Sequence, residues 1–151
     1  MIVGVGGDLV EIARIRRAIE RYGSRFLDRI FTPEERRWCQ ATADAAACYA
    51  KRFAAKEALA KAMGTGLREG LWFTDMAVGR TALGQPTLET QGKVKAHLRQ
   101  LAGKGFRLHL SLSDDGGLAQ AWVVVERRGG RRKSPPGGAC KRNLRETPSG
   151  I

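Results

Sequence analysis

The sequence predicts an α+β fold in one domain, with a small antiparallel sheet packed with helices. Three observations carry this. Arg107 to Ser113 alternates strictly: Leu108, Leu110 and Leu112 face one way, and Arg107, His109, Ser111 and Ser113 face the other, which is the period of a half-buried strand. Asp114-Asp115-Gly116-Gly117 then turns the chain, and Leu118 to Glu126 returns as a Val-rich strand, completing a hairpin. Upstream, several stretches combine helix-start signals with strong helix formers, the most pronounced being Arg52 to Met63. At 151 residues, 42% hydrophobic and 28% charged, the chain suits a single domain with a real core and not wholesale disorder.

Ile2-Val3-Gly4-Val5-Gly6-Gly7-Asp8 reads as a short buried strand ending in a glycine-rich turn. Asp8 with Glu11 three residues on has the pattern of a capping box, so a helix N-cap is the plain structural role for Asp8. The bare glycine backbone equally allows a ligand to come close. The helix that follows places Leu9, Ile12, Ile15, Ile19 and Tyr22 on one stripe, and Arg14, Arg17 and Arg21 on the next, continued by Arg25 if the helix reaches it. Such a basic strip is either a solvated face, softened by Glu11 and Glu20, or a dock for an acidic partner helix or a polyanion.

Phe31-Thr32-Pro33-Glu34-Glu35 is a helix start: Thr32 caps, Pro33 takes the first helical position and Glu35 completes the box. This helix is expected to run to about Gln40, and the Ala-rich stretch 43–50 leads into the central helix, which Gly64 stops. On that helix Phe53, Glu57 and Lys61 stand four residues apart and share a face. Alone, Glu57 and Lys61 are an ordinary exposed pair. Leu71 to Gly79 reads as a strand, Leu83 to Pro86 as a turn, Thr87 to Thr90 as a short strand and Gly92 to Ala102 as a helix.

The net charge is +12, but residues 127–151 hold eight Lys and Arg against Glu146 alone, a net +7, leaving +5 on residues 1–126. The chain thus divides into a domain, 1–126, and a basic Gly/Pro-rich tail, 127–151, that is expected to be disordered because it has little apolar surface to bury. With basicity split between the tail and one helix, and no RNA- or DNA-recognition motif, nucleic-acid binding is the weaker functional class. No apolar run approaches the ~20 residues of a membrane helix, and Met1 to Val5 is too short for a secretory signal. Cys39, Cys48 and Cys140 lack metal-ligand spacing and are expected to be free thiols in a reducing cytoplasm.

Together, the stretches Val3 to Ile12, Phe31 to Glu35 and Arg52 to Ala58 strongly resemble the short, bacterial-type 4′-phosphopantetheinyl transferases, the holo-[acyl-carrier-protein] synthases. Gly64-Thr65-Gly66, the Gly84-x-Pro86 turn and His109-x-Ser111-x-Ser113 follow in the family's order, so the resemblance covers about residues 2–126. Asp114 departs from it, since many members carry His there.

The resemblance implies transfer of 4′-phosphopantetheine from coenzyme A to a serine of apo acyl carrier protein, with adenosine 3′,5′-bisphosphate as the other product, in support of fatty acid biosynthesis. It implies Mg²⁺ held by Asp8 and Glu57, and a homotrimer with active sites between subunits, each chain being one half of the fused longer relatives. Mg²⁺ takes one or two carboxylates with phosphate oxygens and water, which fits that pair. Lys61, one turn beyond Glu57, is then placed to neutralise the diphosphate, giving Asp8, Glu57 and Lys61 as the catalytic set. Coenzyme A binding is assigned to Lys61, Gly64, His109, Ser111 and Ser113. Either Glu57 or a metal-bound water takes the serine proton. Arg14 matches the family's carrier-contacting arginine, and helical spacing adds Arg17, Arg21 and Arg25 to an acidic-carrier dock.

Overall fold

The computed structural model describes residues 1–66 and 72–129. The element order is β1 (Ile2–Glu11), α1 (Ile12–Tyr22), α2 (Ser24–Ile30), α3 (Pro33–Gln40), α4 (Ala45–Ala62), a 3₁₀ turn (Phe73–Asp75), β2 (Met76–Arg80), β3 (Pro86–Thr90), α5 (Gly92–Ala102), β4 (Arg107–Asp115) and β5 (Leu118–Glu126). β1, β5 and β4 form an antiparallel sheet in that order, and β2 and β3 a separate hairpin. This is the expected α+β architecture. The β4–β5 connection is two glycines, Gly116 and Gly117, both at positive φ (57° and 79°), a conformation that L side chains rarely adopt.

The sheet has one covered face. Ala119, Ala121, Val123 and Val125 of β5 are buried beneath α4, whose own Ala54, Ala55, Ala58 and Leu59 are fully buried. So many alanines on α4 let helix and sheet approach closely, and Gly4 and Gly6 of β1 bring them closer still. A Cβ at Gly6 would run into the carbonyl oxygen of Ala58, and one at Gly4 into that of Ala62. The opposite face of the sheet presents Val5, Leu9 and Trp122, exposed by 55%, 59% and 51%.

α3 is fastened to α4 at both ends. Near its start Glu35 forms the anticipated capping box with Thr32, accepting from Thr32 N–H at 2.9 Å. The same carboxylate accepts from Lys56 Nζ at 2.6 Å and from Val78 N–H at 3.0 Å, while Lys56 also donates to the Ile30 carbonyl at 2.6 Å. Glu35 and Lys56 are both buried, a pairing that compensates the desolvation of two charges. At the far end of α3, Cys39 is disulfide-bonded to Cys48 in the first turns of α4.

Several expectations are corrected. Cys39 and Cys48 are not free thiols: the return from α3 into α4 sets their Cα atoms 5.4 Å apart, within the span a disulfide needs. Cys140 lies outside the described residues. Asp8 is not a helix N-cap, because β1 stays paired with β5 through Glu11 and α1 starts only at Ile12, without a side-chain cap. Arg25 does not continue the α1 stripe, since Gly23 (φ 54°) ends that helix and Arg25 belongs to a separate helix, α2. Leu71 lies outside the described residues, and Phe73–Asp75 forms a 3₁₀ turn ahead of β2. Of the tail 127–151, residues 130–151 lie outside the described residues. Arg127 instead extends the sheet, exchanging backbone hydrogen bonds with Met1 at 2.7 and 2.8 Å. No helix among the described residues is long and apolar enough to cross a membrane.

Candidate active site

Asp8 lies opposite Ala121 in the sheet register, so its side chain shares the face that α4 covers. The glycine-on-alanine contact below it carries the last turns of α4 across β1. As a result Lys61 Nζ donates to Asp8 Oδ1 at 2.9 Å and to the Gly7 carbonyl at 3.0 Å. Asp8 is the more enclosed partner, with 16% of its side chain exposed against 53% for Lys61. One turn back on the same stripe stands Glu57, and beyond it Phe53 stacks on Phe73 with ring centroids 5.8 Å apart, anchoring the stripe.

Glu57 reports its surroundings through its proton affinity. Its carboxyl is pushed above the usual glutamate range, first by partial burial and then by the negative charge of Asp8; Lys61 and Arg14 pull it back. Two carboxylates, an ammonium and the Arg14 guanidinium of α1 therefore act on one small region. An all-oxygen carboxylate pair suits a hard divalent cation such as Mg²⁺. No cluster of three or more His, Cys, Asp or Glu occurs among the described residues. A cation held by Asp8 and Glu57 would thus draw its remaining ligands from phosphate oxygens and water.

The other expected residues divide. Gly64 and Gly66 follow α4 at positive φ (79° and 62°), with Gly64 N–H bonded to the Lys61 carbonyl at 3.0 Å, so the chain turns immediately beyond the cleft. His109, Ser111 and Ser113 do share one strand face, as the alternation predicts. That face is the outer one: Ser111 lies opposite Trp122, whereas Asp8 lies opposite the buried Ala121. Within one chain the sheet separates them from Asp8 and Glu57. Arg17 and Arg21 are exposed on α1 and, with Glu20 and Tyr22, line an open concavity of about 510 Å³.

Two interactions and a concavity have no local signature in the sequence. Asp114, whose role the family pattern leaves open, pairs with Lys51 of α4 at 2.8 Å, tying the end of β4 to the central helix. Glu126 Oε2 lies 2.8 Å from His109 Nε2, and this hydrogen bond is the main reason its carboxyl sits below the usual range. Glu126 stands opposite Arg107 and His109 opposite Val124, so the two are diagonal neighbours on one face of the hairpin, and strand register was the available signal. Third, a concavity of about 640 Å³ lies between α3 and the β2–β3 hairpin, walled by Thr32, Arg36, Asp75 and Glu89. It contains none of the converging carboxylate–ammonium group, and size alone does not make it the reaction site.

Comparison with known proteins shows the family. The family model described as the 4′-phosphopantetheinyl transferase superfamily matches residues 4–118. A holo-[acyl-carrier-protein] synthase of Brucella ovis is 49% identical over 128 residues, covering 83% of this chain and 96% of that protein. Among solved structures, the holo-[acyl-carrier-protein] synthase of Neisseria meningitidis superposes with a TM-score of 0.73 at 39% identity, covering 83% of this chain and 99% of that one. That of Bacillus anthracis, solved in complex with CoA (3′,5′-ADP), gives 0.69 at 34% identity, covering 85% and 99%. The chain belongs to the 4′-phosphopantetheinyl transferase superfamily and, within it, to the holo-[acyl-carrier-protein] synthases.

Proposed function

We propose that this protein transfers the 4′-phosphopantetheine arm of coenzyme A to a serine of apo acyl carrier protein in a Mg²⁺-dependent reaction, releasing adenosine 3′,5′-bisphosphate. The observation that carries the reading is the convergence of Asp8, Glu57 and Lys61 produced by α4 crossing β1 on a glycine bed. Coenzyme A complexes among the family's solved structures support the donor.

The serine hydroxyl oxygen attacks the phosphorus that bears the pantetheine arm. A phosphodiester bond forms, the diphosphate P–O–P linkage breaks, the nucleotide leaves with the bridging electrons, and the serine proton passes to Glu57 or to a water in the cleft. Asp8 and Glu57 would hold the cation, which when bound supplies Lewis-acid neutralisation of the diphosphate. Lys61 adds a point charge on the same oxygens, and its bond to Asp8 keeps its flexible chain over the cleft.

The separation of His109, Ser111 and Ser113 from Asp8 supports a site shared between copies, as in the homotrimer that the resemblance implies. If the outer sheet face of one copy borders the cleft of the next, the phosphate-matching side chains join the carboxylate pair without crossing the sheet. Exposed Val5, Leu9 and Trp122 on that face suit burial between copies. Arg14, Arg17 and Arg21 supply the basic surface for an acidic carrier, and Arg25 is available from α2. Cytoplasmic residence, a role in fatty acid biosynthesis, and a domain boundary near residue 126 followed by a basic tail complete the proposal. Incubating the protein with apo carrier and coenzyme A, and weighing the carrier by mass spectrometry, tests it. A phosphopantetheine mass gain that needs Mg²⁺ supports the reading, and no gain with competent apo carrier overturns it.

A further inference from the structure

The phosphoryl-transfer chemistry leaves a buried sulfur–guanidinium cluster unused. Cys39 at the end of α3 and Cys48 on α4 are disulfide-bonded, with 0% and 6% of their surfaces exposed. One turn along α4, Arg52 is itself 2% exposed and directs Nη1 to Cys48 Sγ at 3.0 Å. Its Nε is a buried side-chain polar atom with no hydrogen-bond partner. A disulfide sulfur is a weak acceptor and carries no charge, so the bonded form gives this guanidinium little in return for its lost hydration.

The charges around Arg52 are mixed. Glu35 of α3 opposes the penalty that burial places on its charged form, Arg80 of β2 adds to that penalty, and Tyr49 of α4 opposes it slightly. Glu35 is already committed to Lys56, Thr32 N–H and Val78 N–H. A negative charge on Cys48 would meet a guanidinium already in place. Thiolates are stabilised beside an arginine, and a sulfur whose thiolate is stabilised is the better leaving group in disulfide exchange.

We propose that Cys39–Cys48 is a reversible thiol–disulfide site whose reduced form is a Cys48 thiolate paired with Arg52. The reductant class is a small or protein dithiol. Its thiolate attacks Cys39 Sγ, the Cys39–Cys48 bond breaks, and Cys48 leaves with the electron pair as the thiolate facing Arg52. The second thiol of the reductant, once deprotonated, attacks its own sulfur in the mixed disulfide and releases Cys39, which takes up a proton. The reductant departs as a cyclic disulfide, having supplied two electrons. Of its two protons, one ends on Cys39 and one in solvent.

The site lies on a stripe of α4 formed by Cys48, Arg52 and Lys56, adjacent to the stripe of Phe53, Glu57 and Lys61. Reduction removes the fastener at the end of α3 and leaves the Glu35–Lys56 fastener near its start. The two sulfurs are too enclosed for direct attack, so exchange must wait for the α3–α4 joint to open. It should therefore run more slowly than with an exposed disulfide, and losing the cross-link should lower the melting temperature by roughly 5–10 °C.

The full chain carrying Cys140→Ser tests this, because only Cys39 and Cys48 then remain. Protein purified without reductant and unfolded in denaturant should show no reactive thiol, and after treatment with dithiothreitol it should show two. The reduced, folded protein should display the ultraviolet absorbance of one thiolate per chain at neutral pH, and oxidised dithiothreitol should return it to no thiols. Two thiols before reduction, a reduced protein with no thiolate absorbance at neutral pH, or failure to re-form the bond would each overturn the proposal. Arg52→Met in the same background should abolish the thiolate absorbance. If that variant does not fold, the measurements on Cys140→Ser alone decide the question.

Discussion

Lys61 holds Asp8 from fifty-three positions away in the chain, its Nζ 2.9 Å from Oδ1 and 3.0 Å from the carbonyl of the preceding glycine. The pair is half in solvent on the lysine side, so its contribution to folding is small, within ~1 kcal/mol. On the proposed reading, it places a positive charge beside the diphosphate. Lys61→Met should therefore leave the melting temperature within a few degrees of the parent while lowering kcat/KM for coenzyme A by roughly two orders of magnitude. Thermal denaturation beside steady-state kinetics checks both halves.

Glu57 makes the protein pH-sensitive in a defined direction. Burial and Asp8 raise its carboxyl pKa in the fold above the value in the unfolded chain. A raised carboxyl means the native state holds its proton more tightly. The stability tied to that proton is fully present below the unfolded pKa and is lost as pH rises through the raised value. Glu57→Gln should then make the metal-free protein more stable than the parent at neutral pH, with the advantage shrinking towards acid. Urea denaturation across pH measures this, and a variant less stable at every pH contradicts the assignment. Cation binding must expel the same proton, so Mg²⁺ affinity should rise with pH over that range.

The glycine bed makes its own prediction. In Gly6→Ala the new methyl group meets the Ala58 carbonyl, a backbone atom with no rotamer to yield. Strand and helix must separate, costing about 1–3 kcal/mol or more and drawing Asp8 away from Lys61. Activity should fall further than stability explains, and the variant should stay slow even at temperatures where circular dichroism shows it fully folded.

Carrier recognition can be separated from chemistry through the outer part of α1. Arg14 acts on Glu57 and so mixes the two roles, whereas Arg17 and Arg21 line a concavity that contains none of the cleft residues. The double variant Arg17→Glu, Arg21→Glu should raise KM for carrier at low salt about tenfold or more, flatten its salt dependence, and leave KM for coenzyme A unchanged. An unaltered carrier KM would remove α1 as the dock.

The parts of this arrangement legible in the sequence were those with local periodicity or fixed spacing. The β4–β5 hairpin, α5 and the Thr32–Glu35 capping box are each written within twenty consecutive residues or fewer. What escaped depends on contacts between distant segments. Asp8 and Glu11 imitate a capping box, but pairing with β5 kept that stretch extended, because nine residues of ladder outweigh one cap. Glu35 was legible as a cap and not as the buried partner of Lys56, since helical spacing says nothing about a lysine on another helix. Cys39 and Cys48 sit at no recognisable interval, and only the return of α3 onto α4 brings them together. The polar alternation of β4 was visible, but which side of the sheet it would face relative to Asp8 was not.

The central claim is that Asp8 and Glu57 jointly hold one divalent cation. Calorimetric titration of Mg²⁺ into the protein with coenzyme A present measures it most directly, comparing the parent with Asp8→Asn and Glu57→Gln. The account predicts one site per chain in the parent and affinities lowered by roughly two orders of magnitude in each variant, with native circular dichroism. Unchanged Mg²⁺ affinity in either folded variant would contradict it.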